Sequence, residues 1–200
     1  MTHEQAKYSD FVKHINWVFH KTQVPPKIIL MGKNSESVPL RNYKLRVCEL
    51  ARLDASANAP KKNELFNDLC QRNLFEDITT AALNSDPKLA KKYLGNVNVV
   101  ILDDRAVIKN GANLTQAILK SETFLTHHGR FLFDLAITKL DPGIPNYSIN
   151  YILSTTRKVN EMLKKAGRSS RFLVEDIKLS INDNADTILG LRVYLKKEII

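Results

Sequence analysis

The sequence predicts an α+β protein, mainly α, on three observations. Apolar residues recur at intervals of three and four through most of the 200-residue chain, only a few short stretches alternate or run in β-branched residues, and Pro25–Pro26, Gly32–Ser37 and Asp141–Gly143 punctuate the periodic segments. Apolar residues make up 44% and charged residues 26%, the balance of a globular protein, and this length buries enough surface to fold without metal or disulfide staples.

Residues 4 to 22 carry Tyr8, Phe11, Val12, Ile15, Val18 and Phe19 on one helical face, and Pro25 and Pro26 stop that helix. Ile28 to Met31 reads as a short strand, and Gly32 to Ser37 as an exposed linker. Leu40 to Val47 alternates strictly, with Tyr43, Leu45 and Val47 on one side and Asn42, Lys44 and Arg46 on the other, which is a strand signature. Helices are expected over Glu49 to Ala57 and Lys61 to Leu83, the second capped by Asn58 with Pro60 in its first turn, and a short one from Pro87 to before Gly95. Val97 to Leu102 with Ala106 to Ile108 reads as a strand or hairpin. Leu114 to Ala136 outlines a long helical region that Gly129 bends or splits. Ile149 to Ala166 gives another helix, capped by Gly167. Spacing by fours at Leu173, Ile177, Ile181 and Ala185 favours one more helix, and Leu191, Val193 and Leu195 a terminal strand. Three segments follow: an amino-terminal helix and linker (1–37), a strand with two helices (38–95), and a mainly helical extension (96–200).

Two cysteines, Cys48 and Cys70, are too few for a disulfide framework and point to a reducing compartment, so the cytoplasm is the expected location. No stretch approaches 18 apolar residues, so no membrane association is expected. Thirty basic residues against 21 acidic ones leave a net charge of +9, which suggests a polyanion as partner.

Asn42, Lys44 and Arg46 place an amide, an ammonium and a guanidinium on successive outward positions of one strand, each able to donate to base edges. Two such strands, paired antiparallel in a homodimer, make a ribbon that fits the major groove. The same strand also reads as an edge strand whose charges discourage aggregation. The run Asn42-Tyr43-Lys44-Leu45-Arg46-Val47 resembles the strand of the ribbon-helix-helix DNA-binding proteins. That resemblance covers residues 39 to about 80. It implies a strand followed by two helices, with a DNA phosphate at the start of the second helix, where Asn58, Lys61 and Lys62 stand. The overall layout, with Pro39, Leu40 and Arg41 opening the strand, also resembles the AcaB-like transcriptional activators of conjugative elements.

A second basic concentration includes Arg157, Lys164, Lys165 and Arg168, which can track a nucleic-acid backbone or form a solvated helix end. His127 and His128, with Asp103 or Asp104, are the candidates for a metal-dependent enzyme, but adjacent helical side chains diverge and a structural role is favoured. The seven glycines form no phosphate-binding loop. The expectation is a non-enzymatic, homodimeric, sequence-specific DNA-binding regulator without cofactor or metal. An assembly or adaptor protein of a phage or secretion system is the alternative, and the small metal enzyme the second.

Overall fold

The computed structural model describes residues 3–31, 49–53, 74–102, 105–137, 144–180 and 189–200. Among them, seven strands form one sheet: β1 (Lys27–Met31), β2 (Glu49–Leu53), β3 (Leu74–Ile78), β4 (Val97–Leu102), β5 (Leu125–Ile137), β6 (Ser170–Ser180) and β7 (Leu189–Ile199). Their order is β3-β2-β1-β4-β5-β7-β6. The first five are mutually parallel, β7 runs antiparallel to β5, and β6 antiparallel to β7. The fold is therefore α/β, built on a mixed and mostly parallel sheet. The expectation of a mainly α, ribbon-helix-helix-like protein is corrected. Residues on both sides of the expected boundaries near 37 and 95 contribute strands to this one sheet.

β1 and β4 lie inside the sheet, and their sequences say so: Ile28-Ile29-Leu30 and Val99-Val100-Ile101 are continuous apolar runs, each residue at most 1% exposed. Strands buried on both faces lose the alternation that marks half-exposed ones. One face is covered by α1 (His3–Thr22), whose Phe11, Val12, Ile15 and Val18 pack on Ile28, Leu30, Leu50, Val99, Ile101 and Leu132. The other carries α2 (Thr80–Ser85), α3 (Pro87–Tyr93), α4 (Arg105–Lys109), α5 (Gly111–Phe124) and α6 (Ile144–Lys165). Capping fixes where these helices start and stop. Asp86 accepts from the amides of Lys88 and Leu89, and Asn110 from those of Ala112 and Asn113. Gly167, at φ 68°, ends α6 with the amide of Arg168 donating to Leu163 O and its own to Lys164 O.

Four helical expectations fail. Glu49–Leu53 carries Leu50 and Leu53 at helical spacing, yet it lies between β1 and β3 as a strand with Leu50, Ala51 and Leu53 buried. The stretch expected to end a helix at Leu83 is β3 followed by α2. The region expected to be helical to Ala136 turns extended at Leu125, where Phe131, Leu132 and Phe133 enter the core as a buried run. Spacing by four at Leu173 and Ile177 is also a multiple of the strand period of two, and this segment is β6. Ala106–Ile108, expected as a strand, belongs to α4. The strand expected over Leu40 to Val47 lies outside the described residues.

Buried polar side chains join α5 to the antiparallel strands. Lys197 donates to Glu122 O at 2.7 Å and Leu125 O at 2.9 Å and lies 3.2 Å from the Glu122 carboxylate. That carboxylate, 5% exposed, also accepts from Ser170 at 2.8 Å and Arg168 at 2.7 Å. Burial pushes the Glu122 carboxyl up, but the Ser170, Arg168 and Lys197 donors outweigh it and hold the group below the usual carboxylate range. Glu122→Gln leaves Lys197 buried beside a neutral amide, and a loss of about 3 kcal/mol in urea unfolding at neutral pH is expected. Because the folded value is the lower one, this contribution is complete above the unfolded value and fades as pH falls through the folded one, so the two proteins converge in acid.

Candidate functional site

The chain moves from β1 outward to β2 and β3, then returns past β1 to β4 and proceeds the other way to β5. Neighbouring parallel strands whose connections leave in opposite directions open a crevice at their carboxyl ends, and that is where open α/β sheets bind ligands. Here the crevice lies between β1 and β4. Ile78, Leu53, Met31 and Leu102 stand in register across the sheet as the last residues of β3, β2, β1 and β4, and form its buried apolar floor.

The residues that continue the chain from this row are Thr79, Asp54, Gly32 and Asp103. Thr79 caps α2, its hydroxyl accepting from the Ala82 amide at 3.0 Å. Asp54, Gly32 and Asp103 lie outside the described residues. On the α1 face of the same edge, Arg52, Asp134 and Arg192 are buried, Asp134 and Arg192 are cross-strand neighbours, and Arg192 donates to Asp10 of α1. These charges hold the amino-terminal half of α1 over the sheet. Among described residues, no group of three His, Cys, Asp or Glu side chains is placed to hold a metal ion.

Of the expected DNA-binding residues, Asn42, Lys44, Arg46, Asn58, Lys61 and Lys62 lie outside the described residues. Arg157, Lys164, Lys165 and Arg168 are exposed, on the second half of α6 and just past its end, and Arg157, Lys164 and Arg168 line one groove. Since α6 joins β5 to β6, which run the same way, that end lies at the amino edge, away from the crevice. His127 and His128 open β5 at that same amino edge, with rings 3.6 Å apart and His127 Nδ1 accepting from the Ile199 amide at 3.2 Å. Asp103 and Asp104, the acids of the grouping expected for a metal enzyme, lie outside the described residues. Sequence reasoning missed Asp54. Its signal was available as an acid directly after Leu53, about twenty residues beyond Gly32, but it becomes visible only once Glu49–Leu53 is recognised as a strand.

No protein-family model matches the sequence, and no curated protein matches it. Solved structures do. A SAM-dependent methyltransferase from Methanosarcina mazei is similar over 92% of this chain and 98% of its own, with 8% identity and a TM-score of 0.50. A protein from Pyrococcus horikoshii, provisionally named a transferase, is similar over 94% of this chain and 64% of its own, with 7% identity and a TM-score of 0.50. One from Nostoc punctiforme, provisionally named an O-methyltransferase, is similar over 94% and 55%, with 14% identity and a TM-score of 0.50. This chain therefore spans less than two thirds of the length of the latter two. At such identities the likeness is one of fold.

That fold overturns the resemblance to ribbon-helix-helix and AcaB-like proteins, and with it the DNA-binding regulator, the DNA partner and the non-enzymatic, cofactor-free reading. The homodimer was expected only to complete a ribbon and loses its basis. The adaptor and metal-enzyme alternatives gain no support. Among the described residues, no helix is long and apolar enough to cross a membrane.

One histidine is strongly perturbed by its packing. His14 of α1 lies between Trp17 and Tyr194, at ring-centroid distances of 5.6 and 5.4 Å. Burial, then the Arg130 charge, push its pKa down to about 4. The unfolded chain takes up this proton near pH 6.5 and the folded one does not. Stability is therefore expected to fall by on the order of 2 kcal/mol as pH drops from about 6.5 to about 4, and His14→Phe is expected to remove that part of the slope in pH-dependent chemical unfolding.

Proposed function

We propose that this chain is a SAM-dependent methyltransferase that binds its methyl donor in the crevice between β1 and β4. The observation that carries the reading is the sheet itself, five parallel strands in the order β3-β2-β1-β4-β5 completed by the antiparallel β7 and β6, and it is supported by the likeness of fold to the SAM-dependent methyltransferase from M. mazei over 92% of this chain and 98% of that one. S-adenosylmethionine supplies a sulfonium-bound methyl group that passes to a nucleophile, leaving a neutral thioether.

The residues present fit a nucleoside. The apolar row Ile78, Leu53, Met31 and Leu102 offers a surface for a base. Asp54, directly after β2, stands where doubly wound folds keep an acid that accepts from ribose hydroxyls. Asp103 is the residue directly after β4 in the sequence. Gly32 is the only glycine in the sequence between β1 and β2.

S-adenosylhomocysteine at one hundred times its dissociation constant is expected to stabilise the protein by about 2.7 kcal/mol, read as a rise in Tm. Asp54→Ala is expected to abolish that rise while leaving the Tm of the free protein within a degree or so. Calorimetry that finds no binding of S-adenosylmethionine or S-adenosylhomocysteine to the full chain would falsify the proposal.

A further inference from the structure

A groove of about 1050 Å³ runs between the outer side of α6 and the edge strand β6, at the far end of the sheet from β3 and well removed from the crevice. Its floor is apolar, with Phe172, Leu173 and Val174 on the strand side and Leu153, 44% exposed, on the helix side. Ile200, 80% exposed, stands at its rim. Its walls are basic. Arg157 and Lys164 of α6 line it, and neither has a carboxylate partner among the described residues. Arg168 and Arg171 line it too, each meeting one carboxylate, Glu122 and Glu198, while keeping a half-exposed side chain. Glu161 is the single acid in the lining.

The backbone of β6 adds a constraint. At Phe172 the outward amide and carbonyl are already engaged: Asn160 Nδ2 donates to Phe172 O at 2.8 Å and the Phe172 amide donates to Asn160 Oδ1 at 2.8 Å. The carboxamide takes the place of a neighbouring strand's peptide group, so a second copy cannot pair edge to edge through this residue. Recognition in the groove must come from side chains, and those present select apolar groups flanked by negative charge.

We propose that this groove docks an extended acidic segment of a partner protein, with its carboxylates on Arg157 and Lys164 and an apolar side chain between Leu153 and Val174. Charge complementarity selects this occupant. A nucleic acid would satisfy the cations but leave the exposed Leu153 and Ile200 in contact with phosphate or water, whereas an acidic peptide with an apolar anchor satisfies both.

The test is fluorescence anisotropy of the full chain with labelled Glu-Glu-Leu-Glu-Glu-Leu-Glu-Glu. Saturable binding is expected, weakened about tenfold or more by Arg157→Glu with Lys164→Glu and severalfold by Leu153→Ala. All three positions are exposed, so the Tm serves as a control for folding. Lys158→Glu, on the same helix but outside the groove, is expected to change the affinity less than about twofold. The proposal is overturned if no saturable binding occurs. It is equally overturned if inorganic polyphosphate or an oligonucleotide binds as well and Leu153→Ala has no effect, which would mark a general polyanion site. A dimer in sedimentation that the double reversal dissociates would give the groove to a second copy and overturn it too.

Discussion

Two strands that admit no water on either face, β1 and β4, impose most of what surrounds them. Ile28, Ile29 and Leu30 on one, with Val99, Val100 and Ile101 on the other, each contribute about 1.5 to 3 kcal/mol only if both faces of the sheet are covered. Their backbone amides and carbonyls need partners on both sides as well, because an unpaired buried group costs about 1 to 3 kcal/mol. β2 and β5 meet that second requirement, α1 and the helices of the opposite face meet the first. Parallel neighbours can be joined only by crossovers that return the chain to the amino edge. The carboxyl ends are thereby left to connecting segments, and the reversal of direction between β1 and β4 opens the crevice. The site is thus a consequence of how the core is covered, and it requires no particular sequence to exist.

This explains how the fold can be shared at 7–14% identity with the solved structures it resembles. The constraint acts on burial and on strand order, which many sequences satisfy. Chemistry is set by the residues that follow the strands, and those residues are free to differ. A lone Gly32 after β1 and Asp54 after β2 are compatible with that division, since the scaffold holds the places and each chain fills them in its own way.

Legibility in the sequence followed the same physics. α1, β1, β4 and α6 were readable because each carries a single unambiguous signal: a stripe at three and four, an apolar run, or a glycine cap at Gly167. Glu49-Leu50-Ala51-Arg52-Leu53 was not, because Leu, Ala, Glu and Arg are good helix formers and five residues are too few to separate a period of 3.6 from burial on both faces. Leu173 and Ile177 failed through the shared factor of two in a spacing of four. The sheet order could not be read at all, since nothing local to β4 records that it lies beside β1 rather than β3. Misreading β2 as a helix carried the largest penalty for function: it removed a parallel neighbour from β1, hid the strand end that precedes Asp54, and left Asn42, Lys44 and Arg46 as the most regular pattern in view.

The excess of positive charge, +9 for the chain, gains a different meaning once it is located. At the crevice edge the described cations Arg52 and Arg192 are buried, and Arg192 is matched by the Asp10 carboxylate on α1, so these charges hold α1 in place and project little field into solvent. Arg157, Lys158, Lys164 and Lys165 instead stand exposed on the far half of α6, where a helix carboxyl end favours cations in any case. The dipole accounts for their sign and for the last turn, where Lys164 and Lys165 lie. It does not account for Arg157, two turns earlier, nor for the apolar floor beside it, because macrodipole effects fade within one turn. Arg157 and Lys164, two of the residues that make the chain look like a nucleic-acid binder when counted, thus line, when placed, an apolar groove at the sheet edge that the crevice does not use.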